Sequence, residues 1–242
     1  MLVMYKARTY RRWAKDNSLI SFEVIERETD LLISAEKNLE GRSRESLLKY
    51  RGHIEEYVSR FEDFRSSLTP ITIAEDAYLI IKSMGESSGM AGVGPMASVA
   101  GAISEFVGRD LLAYSGEVIV ENGGDIFLRA LKKKVMGVYA GEDSPFTGKL
   151  ALEIPPAPDG LGICTSSGTV SHSLSFGRAD ASLIIADSAP LADAVATAAG
   201  NTVKSPSDVE ECINFARSIK GVRGALILIG DKMGSWGEIK LI

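Results

Sequence analysis

Stretches patterned as strands and stretches patterned as helices come in blocks in this sequence, and that order constrains the fold more than any other feature. Two strand-like stretches, 21–25 and 31–35, flank the charged turn Glu26-Arg27-Glu28-Thr29-Asp30. From 44 to 64 the apolar residues Leu47, Leu48, Ile54, Tyr57, Val58 and Phe61 recur at helical spacing. Pro70 stops that element, and a second helical pattern over 74–84 runs into a glycine-rich segment over 85–95. A third, over 96–112, is small-sided, with Ala97, Ser98, Ala100, Gly101, Ala102 and Ser104. Small residues let a helix, a sheet or a ligand come close.

From 117 the chain is strand-rich. Stretches 117–121, 126–130, 135–139, 150–154, 161–165 and 182–186 are separated by Gly, Pro and Asp turns. A helix over 190–199 is closed by Gly200-Asn201, and Ser207 with Glu210 forms a capping-box pattern that opens another over 208–219. Stretches 225–229 and 237–241 finish as strands. A doubly wound fold would alternate strand and helix; blocks argue for α+β, with helices on one face of a largely antiparallel sheet. No linker, low-complexity tract or short repeat interrupts the 242 residues. They read as one domain over 1–242, with room for two lobes.

Charge and cysteine usage exclude several functions. The net charge of −5 makes nonspecific nucleic-acid binding, which is driven by phosphate neutralisation, a poor expectation. The basic cluster Lys6, Arg8, Arg11, Arg12 and Lys15, interleaved with Tyr5, Tyr10 and Trp13, reads first as a solvated strand face and second as an anion-facing patch. No apolar stretch reaches the roughly 18 residues a membrane span needs, and no signal peptide is visible, so the chain reads as cytoplasmic. Cys164 and Cys212 are too few for a disulfide framework, and the apolar approach to Cys164 marks a buried thiol rather than a nucleophile. His53 and His172 are too few for a His-rich zinc site.

Four segments offer chemistry. Gly92-Val93-Gly94-Pro95 precedes a helix, where free amides and the dipole suit a phosphate; a simple turn is the competing reading. Asn122-Gly123-Gly124-Asp125 is a hairpin signal that also presents bare backbone beside two oxygen-bearing side chains. Thr165-Ser166-Ser167-Gly168-Thr169, with His172 beyond, stacks hydroxyls and amides after a strand. Asp193 and Thr197 stand four apart on one helical face, a hard oxygen pair suited to Mg²⁺ or Ca²⁺, although an Asp in a first turn also simply complements the helix dipole.

Together these strings are similar, almost end to end, to the UPF0280 family of bacterial and archaeal proteins. The phrases that carry the resemblance are Tyr10-Arg11, Glu28-Thr29-Asp30-Leu31, the run from Ala91 through Gly94-Pro95-Met96-Ala97 to Ile103, and Glu121-Asn122-Gly123-Gly124-Asp125-Ile126-Phe127. More distantly the chain resembles the ApbE-type flavin transferases, which cut FAD with Mg²⁺ and attach FMN to a protein threonine. Their motif order is kept: Gly94-Pro95-Met96-Ala97, then Gly123-Gly124-Asp125, then Thr165-Ser166-Ser167-Gly168, then Ala192-Asp193-Ala194-Val195-Ala196-Thr197-Ala198.

The resemblance implies a tunnelling-type α+β fold. It also implies a Mg²⁺ held by Asp193, Thr197 and the Ala97 carbonyl. A flavin nucleotide (FAD or FMN) would lie against Gly94, Asn122, Gly123, Gly124, Asp125, Thr165, Ser166, Ser167, Gly168 and His172. The chain departs from the transferases after His172, at Thr169 in place of an aromatic, and at Ser98 in place of a lysine. Function is therefore less transferable than fold. Three alternatives stay open: a Mg²⁺-dependent enzyme acting on a flavin-type nucleotide, a protein that holds such a nucleotide without turnover, and a scaffold or an enzyme of unrelated chemistry. Homo-oligomers are compatible with each.

Overall fold

The computed structural model describes residues 18–168 and 177–242. The N-terminal basic cluster and Thr169, Ser171, His172 and Ser173 lie outside the described residues. The chain opens with the hairpin β1 (Ile20–Glu26) and β2 (Thr29–Ala35), then α1 (Glu40–Arg60), α2 (Glu62–Ser66), α3 (Leu79–Ala91), a 3₁₀ turn (Pro95–Ser98) and α4 (Val99–Leu111). There follow β3 (Val118–Asn122), β4 (Asp125–Ala130), β5 (Lys134–Gly137), β6 (Ala151–Ile154), β7 (Ala157–Ser166) and β8 (Ala181–Ala186). Helices α5 (Ala189–Thr202) and α6 (Val209–Ser218) precede the closing hairpin β9 (Val222–Ile229) and β10 (Lys232–Gly237).

Eight strands form one sheet in the order β1-β2-β3-β4-β7-β8-β9-β10, and each neighbouring pair is antiparallel. Sheet order thus follows chain order, with the helical blocks inserted after β2 and β8. Alternation along each strand sends one set of residues to the helices. Val24, Leu31, Ile33, Val118 and Val120 pack with Leu47, Ile54, Ile81 and Val107 of α1, α3 and α4. Phe127, Cys164, Ile184 and Ala225 pack beneath α5. The intervening residues Leu128, Ile163, Leu183, Ile185, Leu226 and Leu228 face the other way, against Met136, Leu152 and Ile154 of β5 and β6. The expected α+β arrangement holds. β5 and β6 form a separate two-stranded ribbon, whose β6 also bridges the chain end at Leu241, and cover part of the face the helices leave open.

Several boundaries differ from expectation for identifiable reasons. The helix expected over 74–84 is α3, shifted to Leu79–Ala91, so Gly85 and Gly89 are helical rather than loop residues. Gly85 is needed there because a Cβ would run into the Ile73 side chain. α3 ends at Gly92, whose φ of 73° is the left-handed cap that a glycine adopts without strain. Gly200 and Asn201, expected to cap α5, lie in its last turn instead. The capping box expected at Ser207 and Glu210 is formed by Ser205 and Asp208: the Ser205 N–H donates to Asp208 Oδ2 at 2.8 Å, around a 3₁₀ turn at Pro206–Asp208. The last strand ends at Gly237, four residues before Leu241 makes a single bridge to Leu152. Because the Ser205 hydroxyl accepts one of the turn's amides, Ser205→Ala is expected to lower the unfolding free energy by about 1 kcal/mol in urea denaturation.

Candidate functional site

α4 and α5 start side by side above the middle of the sheet. Their approach depends on glycine: a Cβ on Gly101 would fall on the Ala189 carbonyl oxygen and 2.9 Å from Asp193 Cβ. A Cβ on Gly162 of β7 would land on the backbone of Ser188 and Ala189. Gly101, within the small-sided start of α4, is therefore required by helix packing. Gly101→Ala is expected to cost about 2 kcal/mol net, the backbone clash outweighing the propensity gain of alanine in a helix. Thermal denaturation checks this.

At the junction, Asp193 is almost fully buried, with 8% exposure. Its Oδ2 accepts the Gly101 N–H at 2.9 Å. Burial pushes its carboxyl up to about 7, against the lowering pull of the Gly101 and Ala100 amides. Asp125, the first residue of β4, stands opposite Cys164 in the sheet register. Its carboxyl is raised well above the usual range, first by desolvation and then by the negative charge of Asp193, while the Cys164 thiol and the Thr165 amide pull it down. Asp125 Oδ1 is buried and has no hydrogen-bond partner. The junction therefore holds two carboxyl groups that disfavour each other's charge.

The hairpin next to it is built as its sequence suggests. Gly123 and Gly124 have φ of 72° and 104° and form a two-residue turn between Asn122 and Asp125, which pair across it. Gly124 N–H donates to Glu121 Oε1 at 2.8 Å, and Asn122 Nδ2 donates to the Ala100 carbonyl at 3.3 Å, tying the hairpin to the start of α4. A Cβ on Gly124 would stand 3.8 Å from the Thr165 carbonyl, which brings the end of β7 alongside.

Three of the four segments therefore converge at the α4 start. Asp193 bonds to Ala100 and Gly101, one turn past Ala97. Thr197 is half-buried one turn further along α5, and Ala97 is half-buried in the 3₁₀ turn. Two members are occupied by packing. Gly94 is buried where a Cβ would strike the Ser67 carbonyl, and Ser166 is buried beside Gly200 near the far end of α5. Gly168 donates its N–H to the Ala179 carbonyl at 3.0 Å.

Cys164 is buried, and its thiol donates to the Ala189 carbonyl at 3.3 Å. Burial and the nearby Asp125 and Asp193 raise it well above the ordinary thiol range, so it is no nucleophile. Among the described residues no cluster of three or more His, Cys, Asp or Glu could hold a metal. No single helix among them is long and apolar enough to cross a membrane.

Sequence reasoning missed Glu105, a buried acid of α4 whose Oε2 accepts the Ala189 N–H at 2.6 Å. Its partner lies 84 residues away, and the only local signal was an ordinary Glu105–Arg109 pair at helical spacing.

A family model described as AbpE bacteria matches residues 11–221. A UPF0280 protein of Methanococcus aeolicus is 42% identical over 202 residues, which are 81% of each chain. A UPF0280 protein of Methanocella arvoryzae is 40% identical over 217 residues, 89% of this chain and 88% of that one. Among solved structures, the apo flavinyl transferase ApbE of Pseudomonas stutzeri matches with a TM-score of 0.58 at 12% identity, over 90% of this chain and 94% of that one. The flavin transferase ApbE of Vibrio cholerae matches with a TM-score of 0.57 at 12% identity, over 90% and 96%. At such identity the likeness is one of fold.

Proposed function

This chain belongs to the UPF0280 family and has the fold of the ApbE flavin transferases, and from that premise we propose that it binds a flavin-type nucleotide together with Mg²⁺ where α4 and α5 begin. The observation that carries the reading is the half-buried Asp125, whose buried Oδ1 has no hydrogen-bond partner, close enough to the buried Asp193 for their charges to oppose each other. Such a pair is costly alone and is relieved by a cation that prefers oxygen.

The donor chemistry fits Mg²⁺. The proposed ligands, Asp193, Thr197 and the Ala97 carbonyl, are all oxygen donors, and the unpartnered Asp125 Oδ1 adds a further oxygen nearby. Mg²⁺ is commonly held by one or two carboxylates plus substrate phosphates, which agrees with a site lacking three acidic or imidazole ligands. When bound, it would neutralise pyrophosphate charge. The chain's own residues do the rest. The Ala100 and Gly101 amides hold Asp193 in place. Asn122, anchored on Ala100, and the exposed backbone of Gly123 beside Gly124 offer the nucleotide a polar edge. Thr165 and Gly168, with His172 beyond them, complete the proposed contact set.

The test is titration of the purified protein with FAD, in MgCl₂ and in EDTA, followed by flavin fluorescence. Saturable binding in MgCl₂ that EDTA reverses is expected. Absence of binding in both overturns the reading. Chromatography of the same samples for AMP then separates a protein that cleaves the nucleotide from one that holds it.

A further inference from the structure

The junction of α4 and α5 is clamped from both sides. Neither helix is capped by the residue that precedes it: Ser98 and Ser188 make no side-chain cap bond. Each borrows its cap from the other. Asp193, one turn into α5, takes the Gly101 N–H of α4 at 2.9 Å. Glu105, nearly two turns into α4, takes the Ala189 N–H of α5 at 2.6 Å. Carboxylates at helix N-termini satisfy amides that have no partner within their own helix and complement the dipole.

Glu105 is itself held. It is 5% exposed, and its Oε1 accepts Arg109 Nε at 2.7 Å. The Arg109 guanidinium lies 5.2 Å from the centroid of the Phe127 ring, in the sheet below. One acid therefore links the sheet, α4 and the first residue of α5. Its hydrogen-bond partners, Arg109 and Ala189, are not among the proposed nucleotide contacts.

We propose that Glu105 is a positioning residue: by holding Ala189 it fixes the first turns of α5 against α4, and so sets where Asp193 and Thr197 stand relative to Ala97. Its role toward metal and nucleotide rests on the site reading above. The coupling between its bond and the Asp193 bond does not. A helix advances 1.5 Å per residue, so a slip of one position would move both proposed ligands by most of a metal–oxygen bond length.

The test measures hydrogen exchange of the Gly101 amide by NMR in the wild-type protein, Glu105→Ala and Glu105→Gln. Ser205→Ala serves as a control destabilised elsewhere. Loss of one cap is worth about tenfold, so the Gly101 amide is expected to exchange about tenfold faster in Glu105→Ala than in the control. Glu105→Gln keeps an acceptor for Ala189 and is expected to fall between the two. That variant carries the test if the alanine variant does not fold. Equal Gly101 exchange in a folded Glu105 variant and the control overturns the coupling. The same samples are titrated with FAD in MgCl₂, where about tenfold weaker binding is expected for Glu105→Ala. Coupled exchange with wild-type FAD affinity overturns the positioning role. Coupled exchange in a protein that binds no FAD at all overturns the nucleotide reading and leaves the clamp standing.

Discussion

Asp193→Asn is expected to weaken Mg²⁺-dependent FAD binding by about 150-fold while leaving the unliganded protein as stable as the wild type or more so at neutral pH. The two halves have different causes. Asparagine keeps an oxygen that accepts the Gly101 N–H, so the α4 cap survives. It lacks the charge that would hold a divalent cation. Losing a buried charged partner costs about 3 kcal/mol, or about 150-fold in affinity.

The stability half follows from the direction of the Asp193 shift. Burial raises this carboxyl to about 7, so the folded state retains a proton that the unfolded state has released above about pH 4. The favourable contribution of the protonated form is present below the unfolded value and is lost as pH rises to about 7. Wild-type stability therefore carries a descending component from Asp193 across that window, and the asparagine variant lacks this component. Urea denaturation at intervals from pH 4 to 8 reads the difference. A variant that binds FAD like the wild type removes Asp193 from the metal site. Stability sacrificed for a charge the fold does not need is expected of a functional residue.

What was legible in the sequence followed from local patterning. The Gly123-Gly124 turn, the block order of strands and helices, and the buried Cys164 each announce themselves within a few residues. The Gly200-Asn201 pair carries an equally good local signal, yet tertiary packing keeps it inside α5. Gly85 was misread for the same reason: a glycine in a helix looks like a terminus until Ile73 is seen to occupy the space of its Cβ. The candidate site was legible in its members and hidden in its wiring. Nothing near Asp193 reveals that its oxygen meets an amide 92 residues earlier, or that Glu105 returns the bond. Nor does spacing reveal that Asp193 stands close enough to Asp125 to raise its carboxyl, because a sheet and a helix bring them together. Gly94 shows the converse: a motif glycine ahead of a helix whose structural demand is contact with the Ser67 backbone.

Glu117→Ala is expected to lower the unfolding free energy by about 3–5 kcal/mol, the cost of breaking a buried ion pair from one side. Glu117 precedes β3, and Lys134 opens β5. Both are buried, and Lys134 Nζ donates to Glu117 Oε2 at 3.2 Å. Glu117 Oε1 also accepts the Leu131 and Lys132 amides at 2.6 and 3.2 Å. One carboxylate therefore anchors the segment that leads from the main sheet into the β5–β6 ribbon. Alanine would deprive both amides and the buried ammonium of this acceptor. The pH dependence has a definite sign. Burial alone would raise the Glu117 carboxyl, but the Leu131 amide, the Lys134 ammonium and the Lys132 amide outweigh it and hold it below the ordinary range. A depressed carboxyl contributes stability that is fully present above its unfolded value, near 4.3, and is lost as pH falls through the folded value. The wild-type protein should then lose more stability than Glu117→Ala between pH 5 and the acid transition. The gap between the two urea midpoints should narrow as the solution is acidified. A gap that stays constant down to pH 3 would mean that the charge of Glu117 contributes nothing and that only its packing matters.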